Sequence, residues 1–417
     1  MNRHAQPARP NGRAVVHAAG GWAGAPYVAL AMIAVAAVRL HEFIPGAALL
    51  QPALLATFAG GGIVLFRSTA RARAATIRHP LAWLVTAYWV VIVLTVPFAL
   101  WPGLAFGIVR SFLPGVAFVL AMLMCARDHR SALILQSGIV LVVAAYGLYV
   151  MTLGRITGAG RLDPGAGMYD SNDMAAMLAL TFPLAMGLAR TQRGKLRTLM
   201  AGAGLLLVAV ILASGSRGGL LGLGMGAVVF AMGMKGSTRL AAISGIAVAV
   251  AGLWNFSPSF QARVESMTNL EDDYNLTDEV GRKAVWERGR QYIRENPVLG
   301  VGAGNFPVAE GEYFRVTYVG LRGGKWSSAH NAYIQAYAEL GLIGGTLFVA
   351  MLLYGLLRGW RLWRGVRLVN GGLAHRPELL AGLSAFMMSG IFLSHAYFLP
   401  LMALLGLIAV VDGAASA

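Results

Sequence analysis

Residues 326–349 read WSSAHNAYIQAYAELGLIGGTLFV, and within them a long polar stretch gives way to a run apolar enough to enter a membrane. Upstream lies the insert from Phe256 to Ala329, in a chain that is otherwise a nearly unbroken series of apolar runs. A connection of that length is either functional or disordered. This one carries Trp286, Tyr292 and Phe306 in patterned surroundings, so it is expected to fold and to contribute to a site. The composition fits a membrane protein: 417 residues are 57% hydrophobic and 12% charged, outside the soluble globular range. A net charge of +16 would suit nucleic acid only if the basic residues shared one domain face, whereas here they recur in small groups between apolar runs. Nucleic acid is therefore excluded as a partner. The single cysteine, Cys125, rules out an intramolecular disulfide framework.

A bilayer-crossing helix needs about 17 to 25 mainly apolar residues. Twelve runs qualify: 26–44, 46–66, 81–100, 104–125, 131–152, 172–189, 197–213, 218–234, 239–255, 331–357, 377–393 and 396–412. The expected fold is an all-α polytopic membrane protein. It has a tail over 1–25, nine spans within 26–255, a partly helical loop domain over 256–330, three spans within 331–412 and a tail over 413–417. Arg39, His41 and Glu42 at the far end of the first run also allow a re-entrant or interfacial segment there. Basic residues collect in cytoplasmic loops. With both termini inside, Arg3, Arg9, Arg13, Arg67, Arg71, Arg73, Arg78, Arg127, Arg130, Arg190, Arg193, Lys195, Arg197, Lys235, Arg239, Arg358, Arg361, Arg364, Arg367 and Arg376 fall on cytoplasmic segments. The short outer connections hold Arg155, Arg161 and Arg217, with Arg39 and Arg110 near span ends. The long loop then faces outward.

On that side there is no ATP, so bond formation requires an activated substrate, of which membrane-anchored diphosphate lipids are the usual kind. Such a substrate calls for cations to hold the diphosphate and a base to activate the attacking group. Arg217 opens a span in Ser214-Gly215-Ser216-Arg217-Gly218-Gly219, where Ser216 can cap the helix and free N–H groups favour an anion. The alternative is a tight turn whose arginine snorkels to the headgroups. A loop helix is expected from Asp278 to Glu295, ended by Asn296-Pro297. Val285, Trp286, Gly289 and Ile293 form its apolar stripe; Arg282 shares that stripe, while Lys283, Glu287, Arg288, Arg290 and Arg294 point elsewhere. Arg282 on a buried face needs an anion, either a ligand or a loop carboxylate such as Glu271 or Asp272. His330 is the candidate base, with an interfacial anchor as the alternative.

Other signals carry less. Gly300-Val301-Gly302-Ala303-Gly304 lacks the strand-turn-helix context of a nucleotide fingerprint and reads as a turn. Glu271-Asp272-Asp273 has no second acidic cluster beside it, so no metal site is expected. His395 and Tyr397 fit either an acceptor path or an aromatic belt.

Together these residues resemble the O-antigen ligase and polymerase superfamily. The matching pieces are Ser216-Arg217-Gly218-Gly219; Gly281-Arg282 with Trp286 and Asn296-Pro297-Val298-Leu299-Gly300-Val301-Gly302; and His330-Asn331-Ala332-Tyr333 with Glu339-Leu340-Gly341. Tyr169-Asp170-Ser171-Asn172-Asp173-Met174-Ala175 also resembles a family segment, with Ser171 where proline is more usual. The likeness spans residues 160–350. It implies a membrane-embedded, GT-C-like glycosyltransferase at the periplasmic side of a Gram-negative inner membrane. This enzyme would be inverting, metal-independent and without cofactor, and would move a glycan from undecaprenyl diphosphate to a sugar hydroxyl of lipid A-core. By position, Arg217 and Arg282 would bind the diphosphate, Arg288 would assist, His330 would deprotonate the acceptor, and Ser216, Asn331 and Tyr333 would support them.

An O-antigen polymerase or a protein O-oligosaccharyltransferase would share the donor chemistry and differ in acceptor. The single compact loop, the single His-Asn motif and the lack of an added soluble domain favour the ligase. A polyprenyl-glycan transporter is the reading from another class. It would call for internal repeats and mid-membrane ionisable groups, neither of which stands out.

Overall fold

The computed structural model describes residues 21–44, 46–158, 160–165, 169–256, 261, 265, 281–317, 326–367 and 373–416. It is 79% helical, as an α-helical membrane protein should be when backbone groups must be satisfied within each segment. Among the described residues, six helices are long and apolar enough to cross a bilayer: Pro80–Phe98, Pro102–Leu123, His129–Leu153, Ser171–Thr191, Gly194–Ser214 and Ala332–Arg364. A seventh crossing is available if Pro52–Arg67 and Ala70–Ile77, bent by 118°, form one span. Every apolar run in the sequence falls on a helix, but among the described residues the stretches Ala25–Ala36, Arg217–Met232, Gly236–Gly252 and Leu399–Ala415 are 10 to 17 residues long, so twelve full crossings are not established by length and composition. The first run shows why. Its helix α1 (Ala25–Ala36) stops after 12 residues, and the chain then turns through a left-handed Arg39 into a 3₁₀ segment at Leu40–Phe43.

The other helices, in chain order, are α2 (Pro52–Arg67), α3 (Ala70–Ile77), α4 (Pro80–Thr95), α5 (Pro102–Leu123), α6 (His129–Leu153), α7 (Ser171–Thr191) and α8 (Gly194–Ser214). They continue with α9 (Arg217–Met232), α10 (Gly236–Phe256), α11 (Arg282–Glu295), α12 (Phe306–Thr317), α13 (Ala332–Arg364), α14 (Pro377–Gly390) and α15 (Leu399–Ser416). Short polar side chains start several of them by taking free N–H groups. Asp170 accepts from Asn172 and Asp173 at α7, Ser216 from Gly219 at α9, and Asn331 from Tyr333 and Ile334 at α13. Two two-residue hairpins, Arg155–Ile156 with Leu162–Asp163 and Val366–Arg367 with Leu373–Ala374, close connections between helices.

Helix α7 is the central post, packed by α8, α9 and α14 and buried along most of its length. Glycines let α9 approach closely: a Cβ on Gly219 would lie 2.4 Å from Ala175 Cβ, and one on Gly222 would lie 2.1 Å from Ser389 Oγ. Small residues are how membrane helices come into contact, because lipid tails provide no hydrophobic drive.

The loop helix begins at Arg282 with Gly281 as its cap; Asp278 and Glu279, expected in its first turn, lie outside the described residues, as do Glu271, Asp272 and Asp273. Its buried face is Val285, Arg288, Gly289 and Tyr292, whereas Trp286 and Ile293 are half-buried. The expected stripe is therefore rotated toward Arg288, which is inside the fold and not on a solvated face. The physical reason is Glu310 of α12, completely buried, which takes two hydrogen bonds from Arg288 (Nε to Oε1 at 2.8 Å, Nη2 to Oε2 at 2.6 Å) and one from the Tyr292 hydroxyl. A buried carboxylate with three donors makes burial of the guanidinium tolerable. Around this pair, Val285, Tyr292, Val301, Phe306, Ala309, Ala329 and Ala338 form a small second core.

Candidate active site at the loop end of the bundle

The loop is fastened to α13 where that helix breaks. Gly341 has φ +65°, and a Cβ there would lie 2.2 Å from the Val298 carbonyl oxygen. Opened backbone around it bonds to the Asn296–Gly304 turn: Leu342 N–H donates to Pro297 O, Val301 N–H to Ala338 O and Gly302 N–H to Glu339 O. Gly300-Val301-Gly302-Ala303-Gly304 is thus a turn, as its context suggested. The buried Glu339 carboxylate completes the clamp, accepting from Gly304 N–H (2.7 Å), Phe306 N–H (3.2 Å) and the Tyr397 hydroxyl (2.7 Å). Its role was not readable beforehand. A glutamate eight residues into an apolar run signals only that partners must exist.

Tyr397 belongs to the α14–α15 connection, residues 391–398, and this short segment organises the site. Ala396 N–H donates to Gln335 Oε1, and the Tyr88 hydroxyl donates to the Ala396 carbonyl. Ser394 Oγ accepts the backbone N–H of His330 at 2.8 Å. His395, almost fully buried and stacked on Phe398 with ring centres 4.1 Å apart, places Nε2 2.8 Å from Asp173 Oδ1 at the start of α7. The Arg282 guanidinium lies over the Phe392 ring, 5.9 Å from its centre. Gly218, next to Arg217, faces the same segment, since a Cβ there would meet Leu393 at 3.4 Å and Phe392 at 3.6 Å. Arg282 and His330, far apart in sequence, thereby meet at one connection, and the start of α9 beside Arg217 packs against it.

His330 has φ +47°, a left-handed conformation that non-glycine residues seldom adopt. Two contacts impose it. Ser394 holds its N–H, while Trp286 Nε1 of α11 donates to the preceding Ala329 carbonyl at 3.0 Å. The imidazole reaches the surface, yet the crowding around it, and then the Arg282 charge, lower its pKa from the ordinary 6.5; Asp170 and Asp173 pull weakly the other way. The neutral ring is the form that can accept a proton. Asn331 caps α13 through its side chain, its Oδ1 accepting from the Tyr333 and Ile334 N–H groups. Tyr333 donates to the Met387 carbonyl at 3.0 Å, tying α13 to α14. Ser216 caps α9, as its sequence context suggested.

Arg288 is not part of this gathering: both of its bonds to Glu310 and its stacking on Tyr313 and Phe314 keep it between α11 and α12. Conversely, sequence reasoning passed over Ser394 and Phe392, named Asp173 only within the segment that opens α7, and saw Arg161 only as a basic residue on a short connection. Arg161 bridges α7 and α8, donating to Asn172 Oδ1 at 2.8 Å and to the Ser214 carbonyl at 2.9 Å, three residues before Arg217. The aspartate-rich start of α7 was a usable signal; a serine or phenylalanine in an interhelical turn was not. Among the described residues no cluster of three His, Cys, Asp or Glu side chains could hold a metal ion.

Fold and site together define a multi-pass helical membrane protein in which Arg282, His330 and the start of α9 meet one interhelical connection at the end of the bundle that carries its loop domain. Residues 202–349 match a family model described as O-antigen ligase, which contains Arg217, Arg282 and His330. That match supports a likeness of this stretch to the O-antigen ligase and polymerase superfamily and a function of the ligase or polymerase type. Among curated proteins, none matches the chain.

Proposed function

We propose that the protein is an O-antigen ligase: a twelve-span, GT-C-like glycosyltransferase of a Gram-negative inner membrane, with its termini in the cytoplasm and its site facing the periplasm. The donor is a glycan on undecaprenyl diphosphate and the acceptor a sugar hydroxyl of lipid A-core. The single observation that carries this reading is the placement of His330, fixed in a left-handed conformation beside Arg282 and on the connection that also faces the Arg217 segment.

In the step proposed, the neutral His330 ring takes the proton of the acceptor hydroxyl as its oxygen attacks the anomeric carbon. The bond from that carbon to the diphosphate oxygen breaks, and its electron pair leaves with the diphosphate. Arg217 and Arg282 stabilise the charge that develops there, doing what a metal would do elsewhere. One displacement inverts the anomeric centre. Arg288 is assigned to holding α11 and α12 together, because its guanidinium is spent on Glu310.

The test is reconstitution into vesicles with undecaprenyl-diphosphate glycan, offering either lipid A-core or a second donor molecule as acceptor. Glycan joined to lipid A-core supports the ligase; chain extension on the second donor would make the protein a polymerase. His330→Ala should lower transfer by about 10² to 10⁴, the usual contribution of a general base, while donor binding changes little. Full transfer by that variant would remove His330 as the base.

A further inference from the structure

A second polar recess lies between α1, α2 and α5. Its cavity of about 290 Å³ is lined by Arg39, His41, Gln51, Arg110 and Ser111, with walls that include Pro114 and Leu399. Tyr169, next to the Asp170 cap of α7, donates its hydroxyl to the Ala37 carbonyl at 2.6 Å, so the recess sits at the same end of the bundle as His330. It is nevertheless built from different elements than the Arg217, Arg282 and His330 cluster.

Three independent features mark it as built for a ligand. Among the described residues only Arg39, Gln51 and His330 are non-glycine residues with positive φ, and two of the three line this cavity. Such strain persists where the surrounding structure fixes it and collects at functional sites. Arg110 sits on the ninth residue of α5, roughly 12 Å below the start of that helix at 1.5 Å rise per residue, a depth at which an arginine in a membrane helix is costly. It does not simply snorkel away, because Nη2 donates to Gln51 Oε1 at 2.7 Å, across the cavity mouth. Finally, His41 Nδ1 is buried with no hydrogen-bond partner. A buried polar atom without a partner is costly, and a bound polar group would offset that cost.

The charge balance favours an anion. Arg39 is paired with Glu42, whereas Arg110 meets a neutral amide, leaving one net positive charge at the recess. The neighbours favour an amphiphile over a soluble ion: Leu50, Leu55 and Phe106, close in sequence to Gln51 and Arg110, are exposed apolar side chains. The volume is near the lower end of small-molecule sites, about 300 to 1,000 Å³, enough for a headgroup but not for acyl chains.

We propose that this recess binds the phosphate headgroup of a lipid in the leaflet at the His330 end of the bundle, with Arg110 as the principal cation, Arg39 and Gln51 beside it, and the acyl chains outside along α2 and α5. The site stands independently of glycosyl transfer. Full-length protein exchanged into phosphatidylcholine vesicles containing a minor fraction of phosphatidic acid, then re-extracted, would be assayed by native mass spectrometry for retained lipid. The wild type should retain phosphatidic acid over phosphatidylcholine by at least about tenfold, one unit of charge-assisted binding worth about 1.4 kcal/mol. Arg110→Gln should abolish that preference and Arg110→Lys should keep part of it; Gln51→Ala, a second exposed position, should weaken it should Arg110→Gln fail to fold. Arg217→Ala should leave it unchanged. Retention by Arg110→Gln at the wild-type level would overturn the proposal. So would release by Arg217→Ala alone, which would place the lipid at the diphosphate cluster, or complete displacement by inorganic phosphate, which would make this a site for a soluble anion.

Discussion

His330 shows how much of a residue's chemistry comes from its neighbours. An imidazole in water is half protonated at about pH 6.5; here crowding and Arg282 favour the neutral form. Since the folded protein binds the proton less readily than a free imidazole, the acid limb of the pH profile for transfer should lie below pH 6.5. Arg282→Gln removes a positive neighbour, so the proton binds more readily and that limb should move to higher pH, beyond any fall in rate. An unmoved limb would place the titrating group elsewhere. Arg288 is the contrasting case. Its partner Glu310 has no exposure, so Arg288→Ala leaves a buried carboxylate unpaired, and a stability loss of about 3 to 5 kcal/mol is expected. Thermal melting in detergent would show this loss, with donor affinity little changed in the fraction that remains folded. A normal melting point with weakened donor binding would instead return Arg288 to the diphosphate.

At the scale of elements, the sequence marked where helices begin far better than which faces they bury. Asp170, Ser216 and Asn331 were legible as caps because a short acceptor side chain ahead of an apolar run has a local job. The rotation of α11 was not legible, because whether Arg288 or Arg282 turns inward depends on Glu310, on another helix, being there to receive it. The break in α13 lies between these cases. Gly341 follows a leucine in an apolar run and could have been an ordinary helical glycine, but its positive φ and its contact with Val298 O make it the seat of the loop. Gly341→Ala forces a left-handed alanine and a clash with backbone. It should cost at least the roughly 1 to 3 kcal/mol of an overpacked core and should lower transfer by more than the melting point alone explains, since the displaced turn is bonded to Glu339 of α13 and, through Tyr397, to the connection under His330. Unaltered melting and activity would show that the turn does not brace the site.

For the whole molecule, the candidate site exists only through assembly. Arg217 comes from the start of α9, Arg282 from a loop helix and His330 from the entry to α13, and the α14–α15 connection touches Arg282, His330 and, at Gly218, the start of α9. If both arginines hold one diphosphate, Arg217→Ala and Arg282→Ala should each weaken donor binding by about tenfold or more. Their double variant should lose less than the product of the two, because groups sharing one ligand do not act additively. Strict additivity would separate them into independent sites. By itself, the sequence determined the class of the molecule, since apolar runs of spanning length and cations at their junctions follow from the cost of bare backbone and charge in lipid. It also determined the candidate residues, because capping and imidazole chemistry are local. Only the tertiary structure decided which of those residues meet and which are diverted: Arg282 to Phe392, Arg288 to Glu310, and His330 held by Ser394. A buried charge or a strained backbone is stable only with a partner from another part of the chain, and no local pattern specifies that partner.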